Sequence, residues 1–343
     1  MTATATAWLT AARDAVAAGT PAMLVTVVTL KGSSPRASGT RMVVTETAIA
    51  GSIGGGGLEH AAIKAARARL ADPTARPVTV EATVLGPHLG QCCGGRVLVA
   101  HERLDAGAKT WIARWSAAVE GETVVTEIAA DRVIRHFLAD DAATSRPAAE
   151  VARLAADPTP EGATVWRADD GVHYLIENAA PRPHRLYLFG AGHVGRALVE
   201  VLAPLPFAVA WIDDRAALLR PPFPANATPC LTAEPAAVVD AAERGAMYLA
   251  MTPNHGLDFA ICERVLSRGD FAFLGMVGSD GKRRALVKRM RARGLDNAVI
   301  DRLVCPIGLA GIPGKSPAEI AVATAAQLLM TAAAETDRTR SVA

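Results

Sequence analysis

The feature that most constrains the fold is a glycine pattern, Gly190-Ala191-Gly192-His193-Val194-Gly195. It follows a short apolar run, Arg185-Leu186-Tyr187-Leu188-Phe189, and opens a helix expected to reach about Leu202. A second apolar run, Phe207 to Ile212, ends at Asp213-Asp214, about twenty residues past the first glycine. A lone G-x-G-x-x-G says little. Strand, glycine turn, helix, strand and acidic tip in this order form a dinucleotide-type βαβ unit. Glycines let backbone approach a phosphate, and the helix start supplies free N–H groups. Asp213 is placed to accept hydrogen bonds from a ribose, and Asp214 to cap a turn. NAD(P) binding does not follow, because such folds also serve other ligands.

Downstream, helix-like and strand-like stretches alternate: Pro235–Glu243, Ala246–Met251, Leu257–Ser267, Phe271–Met276 and Ser279–Arg293. That alternation predicts a parallel sheet with helices on both faces. Ser316 and Glu319 form a capping box with Pro317 at the first helical position, opening a last helix to about Ala333. Residues 179–184, with Pro181 and Pro183, read as a linker. The expected class is therefore α/β. An N-terminal mixed α/β domain, 1–178, precedes a C-terminal Rossmann-like doubly wound parallel sheet domain, 185–343.

The N-terminal half begins with Trp8, Leu9, Ala12 and Val16 at helical spacing, ending at Gly19. Ala22 to Leu30 reads as a buried strand. Arg41–Thr45 and Ala48–Ala50 read as a hairpin. Gly54-Gly55-Gly56-Gly57 then leads into a helix from Leu58 to about Leu70. The glycine run is either a second anion cradle or simply a tight bend, with Lys31, Arg36 and Arg41 as possible cationic partners. A helix over Ala106–Ala118, strands at Thr123–Ile128 and Arg132–Leu138, and a hairpin across Asp169-Asp170-Gly171 follow.

Between two strand-like runs lies Gly86-Pro87-His88-Leu89-Gly90-Gln91-Cys92-Cys93-Gly94-Gly95. A thiolate is a nucleophile and a soft ligand, so Cys92 and Cys93 are candidates for sulfur chemistry on a bound molecule. The plainer reading is a pair of small buried residues in a turn. Met251-Thr252-Pro253-Asn254-His255-Gly256 sits where open α/β sheets bind ligands, so His255 is either an acid or base or a helix-capping residue. Lys282, Arg283 and Arg284 read as a solvated face. Gly314-Lys315-Ser316 is no P-loop, since the first required glycine is Leu309.

A net charge of +2 argues against nucleic acid or an anionic membrane as the main partner. No run of apolar residues spans a bilayer. Five scattered cysteines without a C-x-x-C pair or a secretion leader point to reduced thiols in the cytoplasm and no structural zinc.

These motifs together resemble the XdhC/CoxI family, accessory proteins of molybdenum hydroxylases such as xanthine dehydrogenase. The resemblance rests on Gly32-Ser33-Ser34-Pro35-Arg36, Gly51 to Gly56 with Leu58-Glu59, Gln91 to Gly95, Gly190 to Gly195, Asn254 to Asp258, and Pro306-Ile307-Gly308 through Pro313-Gly314-Lys315. Relatives of the CoxI type carry a cysteine in the stretch occupied here by Gly57. Its absence leaves Cys92 and Cys93 as the N-terminal thiols. The resemblance implies a chaperone that binds molybdenum cofactor (molybdopterin), shelters it during sulfuration and inserts it into apo-xanthine dehydrogenase. It implies a cysteine desulfurase and the molybdenum subunit of the dehydrogenase as partners, a homodimer, and no turnover chemistry of its own. On this reading Cys92 and Cys93 handle sulfur. Arg36, Gly54, Gly55, Gly56, Gly190, Gly192, His193, Gly195, Asp213 and His255 hold the cofactor, and the two sets converge on one crevice. The competing reading is an NAD(P)-dependent oxidoreductase with His255 as acid or base. A third is a scaffold with a vestigial nucleotide fold.

Overall fold

The structure is a computed structural model and describes residues 3–31, 36–85, 95–138, 163–312 and 314–342. It divides into two units, meeting in sequence at Arg182 and Pro183.

The first unit is built on two antiparallel sheets. One runs β3 (Ile49–Gly51), β2 (Arg41–Val44), β1 (Ala22–Lys31), β5 (Arg96–Leu104), β4 (Val78–Val84). The other runs β7 (Val133–Phe137), β6 (Thr123–Ile128), β9 (His173–Asn178), β8 (Thr164–Arg167). Strand β1 is central and buried on both faces from Ala22 to Val28, which explains its largely apolar sequence. Its Met23, Val25 and Val27 meet Leu58, Ala62 and Ala66 of helix α2 (Gly56–Ala71). Leu24 joins Trp8, Leu9 and Ala12 of α1 (Ala3–Ala18) with Ile112 and Trp115 of α3 (Ala108–Ser116). Val28, at a bulge in the β1–β5 pairing, packs with Ile128 and Leu175 of the second sheet.

One ion pair ties these layers together. Arg41 of β2 donates to Glu177 of β9 at 2.7 and 2.5 Å, with side chains only 2% and 9% exposed. The guanidinium also stacks near Trp8 and Trp115, 5.1 and 4.9 Å from their ring centroids. A second pair, Arg135 to Glu102, links β7 to β5. The sequence-based expectation that Arg41 serves a ligand is therefore corrected: its charge is consumed in the interior. Breaking a buried pair strands a charge. Glu177→Gln is expected to lower unfolding free energy by about 3 kcal/mol. Adding Arg41→Met should restore much of that in denaturant titrations.

His101 of β5 lies 3% exposed beneath α2 beside Thr79, and neither ring nitrogen has a full hydrogen-bond partner. Burial, reinforced by Arg69 and opposed by Glu81, depresses its pKa below the usual imidazole value. The unfolded chain then takes up the proton first. Stability is greatest above a pH of about 6.5 and falls as acid is added through that value. His173 is shifted the same way, so the test is the difference between wild type and His101→Leu. The variant's stability should lose part of its slope between about pH 6.5 and 5.

The second unit is a six-stranded parallel sheet in the order β12 (Ala227–Leu231), β11 (Phe207–Asp213), β10 (His184–Phe189), β13 (Met247–Ala250), β14 (Phe273–Met276), β15 (Leu303–Val304). Leu186 and Leu188 face α4 (His193–Leu202) and α8 (Pro317–Val342). Tyr187 and Phe189 face α5 (His255–Arg268), α6 (Asp280–Ala292) and the single turn α7 (Asn297–Ile300). Helices on both faces make it doubly wound, and the α/β expectation holds.

Three local features differ from expectation. Pro235–Glu243 is a 3₁₀ turn over Pro235–Ala241, short because the chain must extend at Ala242 to enter β13. Strand β12 was hidden by its Pro229, which is tolerated because β12 lies at the sheet edge. Helix α8 runs to Val342, with its capping box formed at Ser316 and Glu319. Its stretch Pro317–Glu335 is long and apolar enough to cross a membrane by length and composition alone. There, however, Ala321, Ala325, Leu328 and Ala332 are core of the second unit.

Candidate functional site

Strands β10 and β13 are neighbours, yet the chain leaves β10 for the α4 face and β13 for the α5 face. Their carboxyl ends therefore flank a crevice at the topological switch point, where open α/β sheets bind ligands.

The three glycines of the motif do different work there. A Cβ on Gly190 (φ 115°) would collide with the Met251 carbonyl of the adjacent β13 loop. A Cβ on Gly195 would strike the Gly190 carbonyl, so this residue brings α4 close to the sheet. A Cβ on Gly192 would meet nothing within 4 Å, so its backbone faces open space. Gly192 is also the N-cap of α4 and supplies no side-chain cap. The first turn of α4 thus offers main-chain donors and the positive end of a helix dipole. His193, the first residue of α4, is exposed.

Across the switch point α5 begins at His255, also exposed. Its start is filled: Asn254 accepts from the Gly256 and Leu257 amides at 2.9 and 3.3 Å. Of the two helix starts at the crevice, that of α4 is the one left open.

Asp213 ends β11 and is 4% exposed. One oxygen accepts from the Ala191 amide at 2.6 Å and Arg215 Nη2 at 2.8 Å. The other accepts from the Arg215 amide at 2.9 Å and its Nε at 2.8 Å. Burial would raise the pKa, but the Arg215 and Ala191 donors outweigh it and bring the carboxyl down to about 2. Asp213 clamps the glycine loop, and its acceptor capacity is taken by the chain itself.

The Gly54-Gly55-Gly56 run shows the same economy. All three have positive φ, 123°, 74° and 64°, which glycine alone adopts readily. Helix α2 starts at Gly56, earlier than the sequence suggests. Glu59 of its first turn reaches back, and its Oε2 accepts from Ser52 Oγ at 2.6 Å and the Ile53 and Gly55 amides at 2.9 and 3.1 Å. Burial opposes ionisation, yet these donors lower the Glu59 pKa. The Gly55 amide, expected to meet an incoming anion, thus holds the chain's own carboxylate. Arg36 lies exposed at a bend before β2. Cys92 and Cys93 lie outside the described residues.

Sequence reasoning missed one cluster at the carboxyl edge. Asp258, fully buried in the first turn of α5, accepts from the Thr252 amide at 2.9 Å and Thr252 Oγ1 at 2.8 Å, with Lys282 Nζ at 3.4 Å. Lys282 also donates to the Val277 carbonyl at 3.3 Å. The pair fixes the loop that carries Asn254 and His255. Its partners are 24 residues apart in sequence, on successive helices, and no local spacing announces it. Cys305, buried at the end of β15, has its thiol pKa raised by burial against the opposing pull of Lys282 and Arg283. No metal-binding cluster of His, Cys, Asp and Glu occurs among the described residues.

Residues 15–81 match the family described as XdhC and CoxI, and residues 186–328 match the XdhC Rossmann domain. The chain belongs to the XdhC/CoxI family. A curated relative, the uncharacterised protein YqeB of Escherichia coli (strain K12), is 30% identical over 146 residues. That match covers 42% of this chain and 27% of YqeB, so the chain spans about a quarter of that relative's length. The fold is shared with a crystal structure named a xanthine dehydrogenase from Bacillus halodurans, with TM-score 0.71 and 21% identity over 96% of each chain.

The unequal duties of the glycines are testable. Gly195→Ala should fail to fold or lose most of its stability, because the Gly190 carbonyl cannot retreat. Gly192→Ala should leave the thermal midpoint within about 3 °C of wild type. Equal melting of both variants would contradict the close approach inferred at Gly195.

Proposed function

We propose that this chain is a molybdenum-cofactor chaperone. It holds molybdopterin during sulfuration and passes it to apo-xanthine dehydrogenase. The observation that carries this reading is the contrast between Gly192 and Asp213. A dinucleotide needs a free carboxylate at the end of β11 for its ribose, and the Asp213 oxygens are already taken. A ligand with a single phosphate needs only uncapped amides, and α4 offers those. Molybdopterin carries one phosphate. The residues present therefore fit the pterin phosphate better than they fit NAD(P).

On this reading Gly192 and the first turn of α4 hold the phosphate, and His193 and His255 flank it. Gly190, Gly195 and Asp213 keep the loop in shape. The Asp258–Lys282 pair steadies the His255 loop. The cofactor, when bound, supplies a metal centre with an exchangeable terminal ligand. Cys92 and Cys93 are the thiols proposed to meet it, supported by the preference of soft metals and sulfane sulfur for thiolate. A cysteine desulfurase is the proposed sulfur donor. A homodimer in the cytoplasm is the proposed working form.

Protein purified from molybdenum-replete cells should release pterin, detected by fluorescence after oxidation and by mass spectrometry. Gly192→Asp should reduce retention at least tenfold, since a carboxylate there repels the phosphate. Cys92→Ala and Cys93→Ala should retain pterin yet impair activation of the apo-dehydrogenase. Saturable NADH binding with no pterin would favour the oxidoreductase reading instead.

A further inference from the structure

Helix α6 carries a charge pattern that neither the fold nor the crevice uses. Residues 280–293 hold seven basic side chains and one acidic one, a net +6 within a chain of net +2. Everything outside that segment sums to −4. Lys282 is spent on Asp258, and Arg289 and Arg293 converge on Glu263. Arg284, Lys288 and Arg291 are exposed and follow each other at four- and three-residue steps, so they line one face over about 10 Å. Among the described residues the side chains of Arg284 and Lys288 have no ion-pair or hydrogen-bond partner. Arg291 meets only the neutral Asn297 side chain, at 2.8 Å.

This placement works against the helix. Lys282, Arg283 and Arg284 sit in or beside the first turn, where the dipole favours anions. Arg284 and Lys288 are like charges one turn apart, which repel. Asp258 relieves Lys282, but among the described residues no acidic side chain of the second unit forms an ion pair with Arg284 or Lys288. A local rule broken without an internal gain points to an external partner.

We propose that the Arg284, Lys288, Arg291 face of α6 is a docking surface for an acidic patch on a partner protein. Charge complementarity selects that chemistry. The stripe is short and bordered by carboxylates at Asp280, one turn before Arg284, and at Glu263, which pairs with Arg289, a mixed pattern that disfavours a uniform polyanion such as nucleic acid or an anionic bilayer. Resting on the function proposed above, the inference takes that partner to be the apo-xanthine dehydrogenase.

The test uses the full chain with purified apo-xanthine dehydrogenase as probe. Association rates are measured between 20 and about 300 mM salt by surface-based kinetics. R284E/K288E/R291E should slow association at least tenfold at low salt and flatten the salt dependence, while its melting temperature stays at or above that of wild type. Arg244→Glu, a control at a highly exposed arginine of the same unit, should leave the rate unchanged. Unchanged association of the triple variant overturns the surface, as does an equal loss in the Arg244→Glu control. Binding of anionic vesicles or RNA by wild type, lost in the triple variant, also overturns it. Pterin retention is read separately. A wild type that holds pterin but ignores the apo-enzyme sinks this inference alone, and a wild type that holds no pterin sinks the function on which it rests.

Discussion

The second unit depends on a close crossing of backbone at the ends of β10 and β13. Gly190 passes against the Met251 carbonyl, and Gly195 lets α4 lie against the carbonyl of Gly190. No side chain fits at either point. The loop between them would have nothing to hold it in place, and Asp213 supplies the hold by accepting from the Ala191 amide while Arg215 neutralises its charge. The result is a rigid turn with Gly192 left facing outward. The acid that marks a nucleotide fold in sequence serves here to shape the cradle.

The first unit solves a different problem. Two sheets and three helices must share an interior too varied for apolar packing alone to fix. The Arg41–Glu177 pair, flanked by Trp8 and Trp115, joins β2 to β9 and pins α1 and α3 over the junction. Such a pair contributes little net stability against an apolar replacement, but its loss on one side is costly. Its role is to set which layers meet.

Legibility in the sequence followed the range of the interaction. Periodicity marked β1, α1 and the alternation from β10 to α6, because each depends on neighbours two to four residues away. The glycine motif was legible because its geometry is local. Strand β12 was not, since Pro229 forbids a central strand and only the sheet order reveals an edge. Arg41 read as a cation for a ligand and Lys282 as part of a solvated face because their partners, Glu177 and Asp258, are brought to them by tertiary folding. Glu59 was legible only as a helix-dipole residue. That it fills the bend made by Gly54 and Gly55 depends on successive positive φ angles that sequence does not specify.

The three carboxylates nearest the glycine elements, Glu59, Asp213 and Asp258, share one condition. Each accepts hydrogen bonds from donors of its own chain, and each steadies a loop. A carboxylate locked by three or four donors of its own chain is poorly suited to exchanging a proton with a ligand. What the second unit turns outward at the crevice is main-chain N–H and two imidazoles. Amides bind an anion without consuming or releasing a proton, and a rigid loop can hold a reactive ligand without altering it. That division, with acids used to build the crevice and amides left to meet what enters it, is the feature on which the proposed chaperone role rests.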